Sequence, residues 1–285
     1  DVFYACDTGE KPLGAAVVFG CHATVLERDN EWISSDYAGK VSSYVSSRLG
    51  GGIPVLFLQG ASGNICQVNP LDTSRKEVGL EWAKTMGAGI GQKAMDGIQK
   101  QKMLSQGPLR VLTKQIQIPR WAVAPELLEW GYHHKEMNCE LPVLSDYGTE
   151  TYNTLKHPKV YLEQIFKTPF WADFYANEIR TLERDRKRQP DMPLEIKVVA
   201  QDSWAMVTLP CELFVEWSLK IREKSPFEHT IVVELANGWN GYIPTRQAFE
   251  RKGGYETKEV TSTMLIPEAG DMVLETVMEM LKIVK

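Results

Sequence analysis

Residues whose types and surroundings suit chemistry cluster in four short stretches of this 285-residue sequence. His22 directly follows the apolar run Ala15–Phe19, in Phe19-Gly-Cys-His22-Ala-Thr. A strand end holds an imidazole more firmly than a loop does, which suits either a hydrogen-bonded core histidine or a site histidine. Glu212, in Leu209-Pro-Cys-Glu212-Leu-Phe, stands between a strand end and an apolar helix start. It is either a carboxylate favoured by the helix dipole or a site residue. Asn237-Gly-Trp-Asn-Gly-Tyr242-Ile-Pro-Thr245 reads as a Gly/Asn turn with anchoring aromatics. Gln59-Gly-Ala-Ser-Gly-Asn64-Ile-Cys66 places an amide and a thiol in a glycine-rich loop.

The other chemistry-bearing residues read as structural. His133 and His134 belong to a solvated helix face, and His157 and His229 to the surface. Cys21, Cys66 and Cys211 are separated by 45 and 145 residues, which matches no zinc-knuckle or CxxC pattern. Small buried packing is the default for each, with Cys66 also a candidate nucleophile. Gly87, Gly89 and Gly91 have neither the GxGxxG nor the P-loop spacing and read as close helix packing. The run Arg184–Arg188 suits a helix C-terminus in solvent.

The elements that must position these residues alternate between short apolar strands and helices. Strands are expected at Ala15–Phe19, Pro54–Leu58, Val111–Ile118 and Thr230–Leu235, with a hairpin of Leu194–Ala200 and Ala205–Leu209 across Gln201-Asp202. Helices are expected over Asp36–Leu49 with Asp36 as N-cap, Val78–Gln101, Leu213–Glu223 and Met272–Val284. Residues 122–190 read as polar helix interrupted near 141–148. This order predicts an α/β fold, a layered mixed β-sheet core flanked by helices, with sites in loops at the strand ends.

An apolar share of 43% and a charged share of 24% describe a globular chain. A net charge of −5 excludes non-specific nucleic-acid binding, so no nucleic-acid partner is expected. No apolar run approaches the roughly 18–20 residues of a membrane span, so no transmembrane segment is expected. Five cysteines are too few for a disulfide scaffold. The opening Asp1-Val-Phe, without Met or a signal-like segment, leads us to expect a processed or truncated N-terminus.

Six stretches together resemble the neutral/alkaline (non-lysosomal) ceramidase family, in particular its shorter bacterial members. They are Phe19–Thr24, Ile33-Ser-Ser-Asp36-Tyr-Ala-Gly39, Phe57-Leu-Gln-Gly60-Ala-Ser-Gly63-Asn64, Leu209–Phe214, Asn237–Thr245 and Gly253-Gly-Tyr255-Glu256. They occur in the family's order and span nearly the whole chain. The resemblance is to the C-terminal part of the catalytic domain; it implies a single catalytic-type domain over 1–285 that continues a segment upstream, and a zinc-dependent amidohydrolase. It implies that His22, Glu212 and Tyr242 are metal ligands and that another histidine comes from an upstream fragment of the same protein. Tyr255 is then a second tyrosine able to hydrogen-bond a developing oxyanion. Asp36 and Asn64 are then groups that orient ligands, and Cys66 stands where the family carries serine. The substrate implied is N-acylated: ceramide or another N-acylated lipid, sugar or amino compound. Its amide would be cleaved by metal-activated water. The residues themselves give no location; the resemblance is compatible with a secreted or periplasmic one.

Two rivals stand beside this reading. One is a non-catalytic binding or structural module on the same fold, lacking a complete metal site. The other is a thiol hydrolase with Cys66 as nucleophile and His22 as base.

Overall fold

A computed structural model describes residues 1–26, 30–69, 71–72, 74–100, 107–135, 169–251 and 254–285. Two mixed sheets form its centre. The first runs β1 (Val2–Cys6), β2 (Pro12–Phe19) and β3 (Val55–Gln59), with β1 antiparallel and β3 parallel to β2. The second has the order β4 (Arg110–Pro119), β5 (Asp191–Gln201), β6 (Trp204–Thr208) and β8 (His229–Val233). In it β6 and β8 are parallel and the other neighbours antiparallel. A third, two-residue parallel pair joins β7 (Glu212–Leu213) to β9 (Tyr242–Ile243).

Alternation along the strands sorts the core into layers. Ala15 and Val17 of β2, with Val55 and Phe57 of β3, face helices α1 (Asp36–Arg48) and α2 (Leu80–Gln99). Their alternates Val18 and Leu58 meet Ile231, Val233 and Met206 of the second sheet. The far face of that sheet carries Leu194, Ile196, Val198, Ala205 and Val207. It packs on α3 (Pro125–His133), α4 (Pro169–Arg188) and α7 (Ala269–Ile283) through Trp130, Ile179, Leu182, Val273 and Val277. Each Val, Leu or Ile among these, removed from water, contributes about 1.5–3 kcal/mol. The order is therefore helices, sheet, sheet, helices. Helix α5 (Val215–Lys224) follows β7, and the short α6 (Arg246–Glu250) follows β9. Among the described residues no helix is long and apolar enough to cross a membrane.

The expected α/β class, the Gln201-Asp202 hairpin and the helices at α1, α2 and α7 are all present. Gly87 of the glycine triplet packs α2 onto α1: a Cβ there would lie 2.3 Å from the Lys40 Cβ. Four details differ from expectation. The core holds two main sheets, because β3 and β8 share only the bridge Gly60–Val233 and the bond from Glu234 N–H to Gln59 O (2.9 Å). Val2–Cys6 is an additional edge strand. Glu212 and Leu213 lie in a strand, not at a helix start, because their backbone is used in pairing with β9. His134 is not on a solvated face: its side chain is mostly buried and its Nε2 lies 2.6 Å from Asp173. The expected interruption near 141–148 and His157 lie outside the described residues, as does Gly253.

Candidate metal site

Three strand ends and two loops meet at one edge of the molecule. His22 stands three residues beyond β2, with its N–H bonded to Ile65 O of the glycine-rich loop (3.1 Å). That loop, leaving β3, reaches across to β7, where Gly63 N–H donates to Leu213 O (2.9 Å). A Cβ on Gly63 would lie 2.6 Å from the Glu212 carbonyl oxygen, so only glycine permits this approach. In the parallel register Glu212 is the direct partner of Tyr242. Gly241, at φ +74°, lets the chain enter β9 tightly, with Tyr242 N–H donating to Ser262 O (2.7 Å).

The result brings His22, Glu212 and Tyr242 together, although 190 residues separate the first two and 30 the last two. His22 Nε2 lies 3.7 Å from Glu212 Oε2. The His22 and Tyr242 rings are 6.1 Å apart, centre to centre, in an edge-to-face arrangement. Tyr255, on the 3-10 turn Tyr255–Thr257, bonds its hydroxyl to that of Tyr242 (2.9 Å). His22 Nε2 is buried and has no hydrogen-bond partner, an arrangement that needs an explanation in a folded protein.

Among the described residues, the carboxylate whose charge shifts both the Tyr242 phenol and the Glu256 carboxyl is Glu212. Burial, the Tyr255 bond and the Glu212 charge all push the Tyr242 phenol well above its ordinary value. Burial likewise raises the carboxyl of Glu256, which also senses Glu212.

The remaining candidates have other engagements. Asn64 spends both ends of its amide on the start of α5, accepting from Val215 N–H and donating to Glu216, each at 2.9 Å. The exposed Cys66 thiol donates to Val68 O (3.7 Å), and no hydrogen bond joins it to His22 Nε2. Asp36 ties helix α1 to the loop after His22, accepting from Tyr37 N–H (2.6 Å) and Leu26 N–H (2.9 Å). Burial pushes the Cys21 thiol up to about 11 and holds the Cys211 thiol well above its ordinary value, so both remain packing groups.

Glu234, which the sequence did not single out, completes the surroundings with Gln59 and with Trp239, expected only as a turn anchor. Glu234, just past β8, is buried; it accepts bonds from the Ser62 hydroxyl and from Leu213 N–H (2.7 Å). It thus joins the glycine-rich loop to the strand carrying Glu212. Gln59 extends this network to Ser62 Oγ and Cys21 O (both 2.8 Å). Trp239 donates its indole N–H to Glu212 Oε1 (2.7 Å). A glutamate ending the run Ile231–Val233 was the only available signal for the first.

Layered α/β architecture with polar side chains gathered at strand ends is the class that the fold and this cluster define. No model of a known protein family matches the sequence, and no curated protein matches it. Among solved structures the chain is similar to neutral ceramidase from Pseudomonas aeruginosa, with a TM-score of 0.63 and 19% identity over 98% of this chain and 45% of that one. It is also similar to a ceramidase complexed with C2, with a TM-score of 0.65 and 17% identity over 98% of this chain and 47% of that one. The chain therefore has a ceramidase-like fold and spans less than half the length of either structure.

Proposed function

We propose that residues 1–285 form the catalytic-type domain of a zinc-dependent hydrolase that cleaves the linear amide C–N bond of an N-acylated compound. Ceramide, another N-acylated lipid, or an N-acylated sugar or amino compound would be the substrate, which puts the protein in lipid metabolism if the amine is a sphingoid base. The observation that carries this reading is the convergence of His22, Glu212 and Tyr242, with the buried His22 Nε2 left unbonded 3.7 Å from a carboxylate oxygen.

The donor set suits zinc, which takes imidazole nitrogen and oxygen ligands. His22 and Glu212 would hold it, with Tyr242 as a third ligand. A fourth donor is assigned to a histidine from a segment outside these residues, as the resemblance implies. When bound, zinc would polarise the amide carbonyl and activate a water. A cation among these groups would also reverse the sign of the local field, favouring the phenolate that burial now opposes.

The chain's own residues do the rest. Burial raises the Tyr255 phenol, so it keeps its proton at neutral pH. Beside Tyr242, it is placed to donate a hydrogen bond to the carbonyl oxygen as negative charge grows there. Asn64 holds the glycine-rich loop on the start of α5 and so keeps Glu212 in register. Cys66 sits at the rim, and its bond to Val68 O does not support the thiol-hydrolase reading.

Metal analysis combined with an amide-hydrolysis panel tests the proposal. The panel would hold an N-acyl sphingoid base, an N-acyl amino sugar and an N-acyl amino acid. About one zinc per chain is expected, with amine release that a chelator stops and zinc restores, and Glu212→Gln should lose both. A folded protein that takes up no zinc overturns it. Among the described residues no group of three or more His, Cys, Asp and Glu side chains gathers, which favours a binding module as the second reading. Zinc uptake without hydrolysis of any panel member would support that alternative.

A further inference from the structure

We propose that Trp239 is a positioning residue: its indole N–H holds one oxygen of Glu212, so that the other oxygen alone faces His22 and any cation bound between them. This rests on the reading of Glu212 as a metal ligand.

The two carboxylate oxygens are already distinguished in the folded chain. Oε1 accepts the indole N–H at 2.7 Å, short for an N–H···O bond. Oε2 lies 3.7 Å from His22 Nε2. The terminal torsion of a glutamate is broad, so an unrestrained carboxylate would sample both one-oxygen and two-oxygen approaches to a cation. The indole removes that freedom.

The loop that delivers Trp239 is built for placement rather than for packing. Trp239 is 48% exposed, so burial does not account for its position. Leu235 (φ +54°) and Asn237 (φ +68°) precede it in the left-handed region, which an asparagine adopts readily but a leucine only when the surroundings impose it. The surroundings that impose it are those that carry Glu212. Leu235 N–H donates to Cys211 O (3.2 Å), Ala236 N–H to Leu209 O (3.0 Å) and Asn240 N–H to Pro210 O (2.6 Å). The Asn240 amide adds a bond to Pro193 O (2.8 Å). Donor and acceptor are thus referenced to one backbone segment, and the same loop continues directly into Tyr242.

Trp239→Phe keeps an aromatic ring and deletes the N–H. Zinc affinity, measured by competition with a chromophoric chelator, should fall about 10- to 100-fold, while the urea midpoint of the metal-free protein stays at its wild-type value. A second measurement needs no substituted tryptophan. The chain has eight tryptophans; the Trp239 indole signal, assigned by triple-resonance spectroscopy, should move on zinc addition and again in metal-free Glu212→Gln. Zinc affinity within twofold of the wild type in folded Trp239→Phe, or an indole signal indifferent to Glu212→Gln, overturns the proposal. In that case Glu212→Gln still abolishes zinc binding and the ligand reading stands. A wild-type protein that takes up no zinc overturns the ligand reading and this proposal with it.

Discussion

Replacing Glu234 by Gln probes how the site is held together, through a pH dependence whose sign is fixed by the structure. Glu234 is buried among hydrogen-bond donors, and among the described residues the charge that shifts it, Glu212, has the same sign. Burial pushes its carboxyl up to about 7, against an ordinary value of 4.5. The folded chain therefore binds this proton more tightly than the unfolded chain does. Below about pH 4.5 both states hold the proton and the folded state suffers no penalty. As pH rises towards 7 the unfolded chain releases it first, so stability falls; above about 7 both have lost it and the curve flattens. The gap between 4.5 and about 7 corresponds to about 3 kcal/mol, at about 1.4 kcal/mol per pH unit. Glu234→Gln removes this titration and leaves in place that of Glu256 and of Glu259, whose carboxyls burial also raises. Urea unfolding of both proteins between pH 4.5 and 8, with chelator present to remove metal linkage, isolates the effect. The stability of the wild type relative to the variant should decline by about 3 kcal/mol over that range. A difference that stays flat with pH, or that rises, refutes the reasoning.

Three further outcomes follow from the same geometry. Gly63→Ala places a methyl 2.6 Å from the Glu212 carbonyl oxygen; it should destabilise the protein by about 1–3 kcal/mol in thermal or urea unfolding and weaken zinc binding as well. Tyr255→Phe should lower kcat about 10²- to 10³-fold on a hydrolysed N-acyl substrate with little change in KM, as expected of a lost hydrogen bond to a developing oxyanion. Zinc at 100 times its Kd should stabilise the wild type by about 2.7 kcal/mol in urea unfolding, and Glu212→Gln should abolish that gain.

The strands and helices with clear apolar periodicity were legible, as were the glycine-rich turns between them. His22 was legible as a site candidate because it follows an apolar strand directly. Glu212 was legible as a residue but not as part of a strand: two residues are too short to show a period of two, and their partner Tyr242 lies 30 positions away. Glu234 was hidden because a carboxylate after Ile231–Val233 looks like an ordinary strand end; only the folded chain shows Ser62 and Leu213 converging on it. Trp239 read as an anchor for a turn, and its bond to Glu212 depends on the left-handed residues around it, which no local pattern displays. His134 reads as a solvent residue in the sequence because its partner Asp173 is 39 positions distant on another helix.

Crystals of the zinc-loaded protein, measured on both sides of the zinc absorption edge, test the central claim most directly. The account predicts one anomalous peak within about 2.0–2.2 Å of His22 Nε2 and Glu212 Oε2, with the Tyr242 hydroxyl completing the third contact. An anomalous map with no peak among these three side chains, in crystals shown to contain zinc, would contradict it.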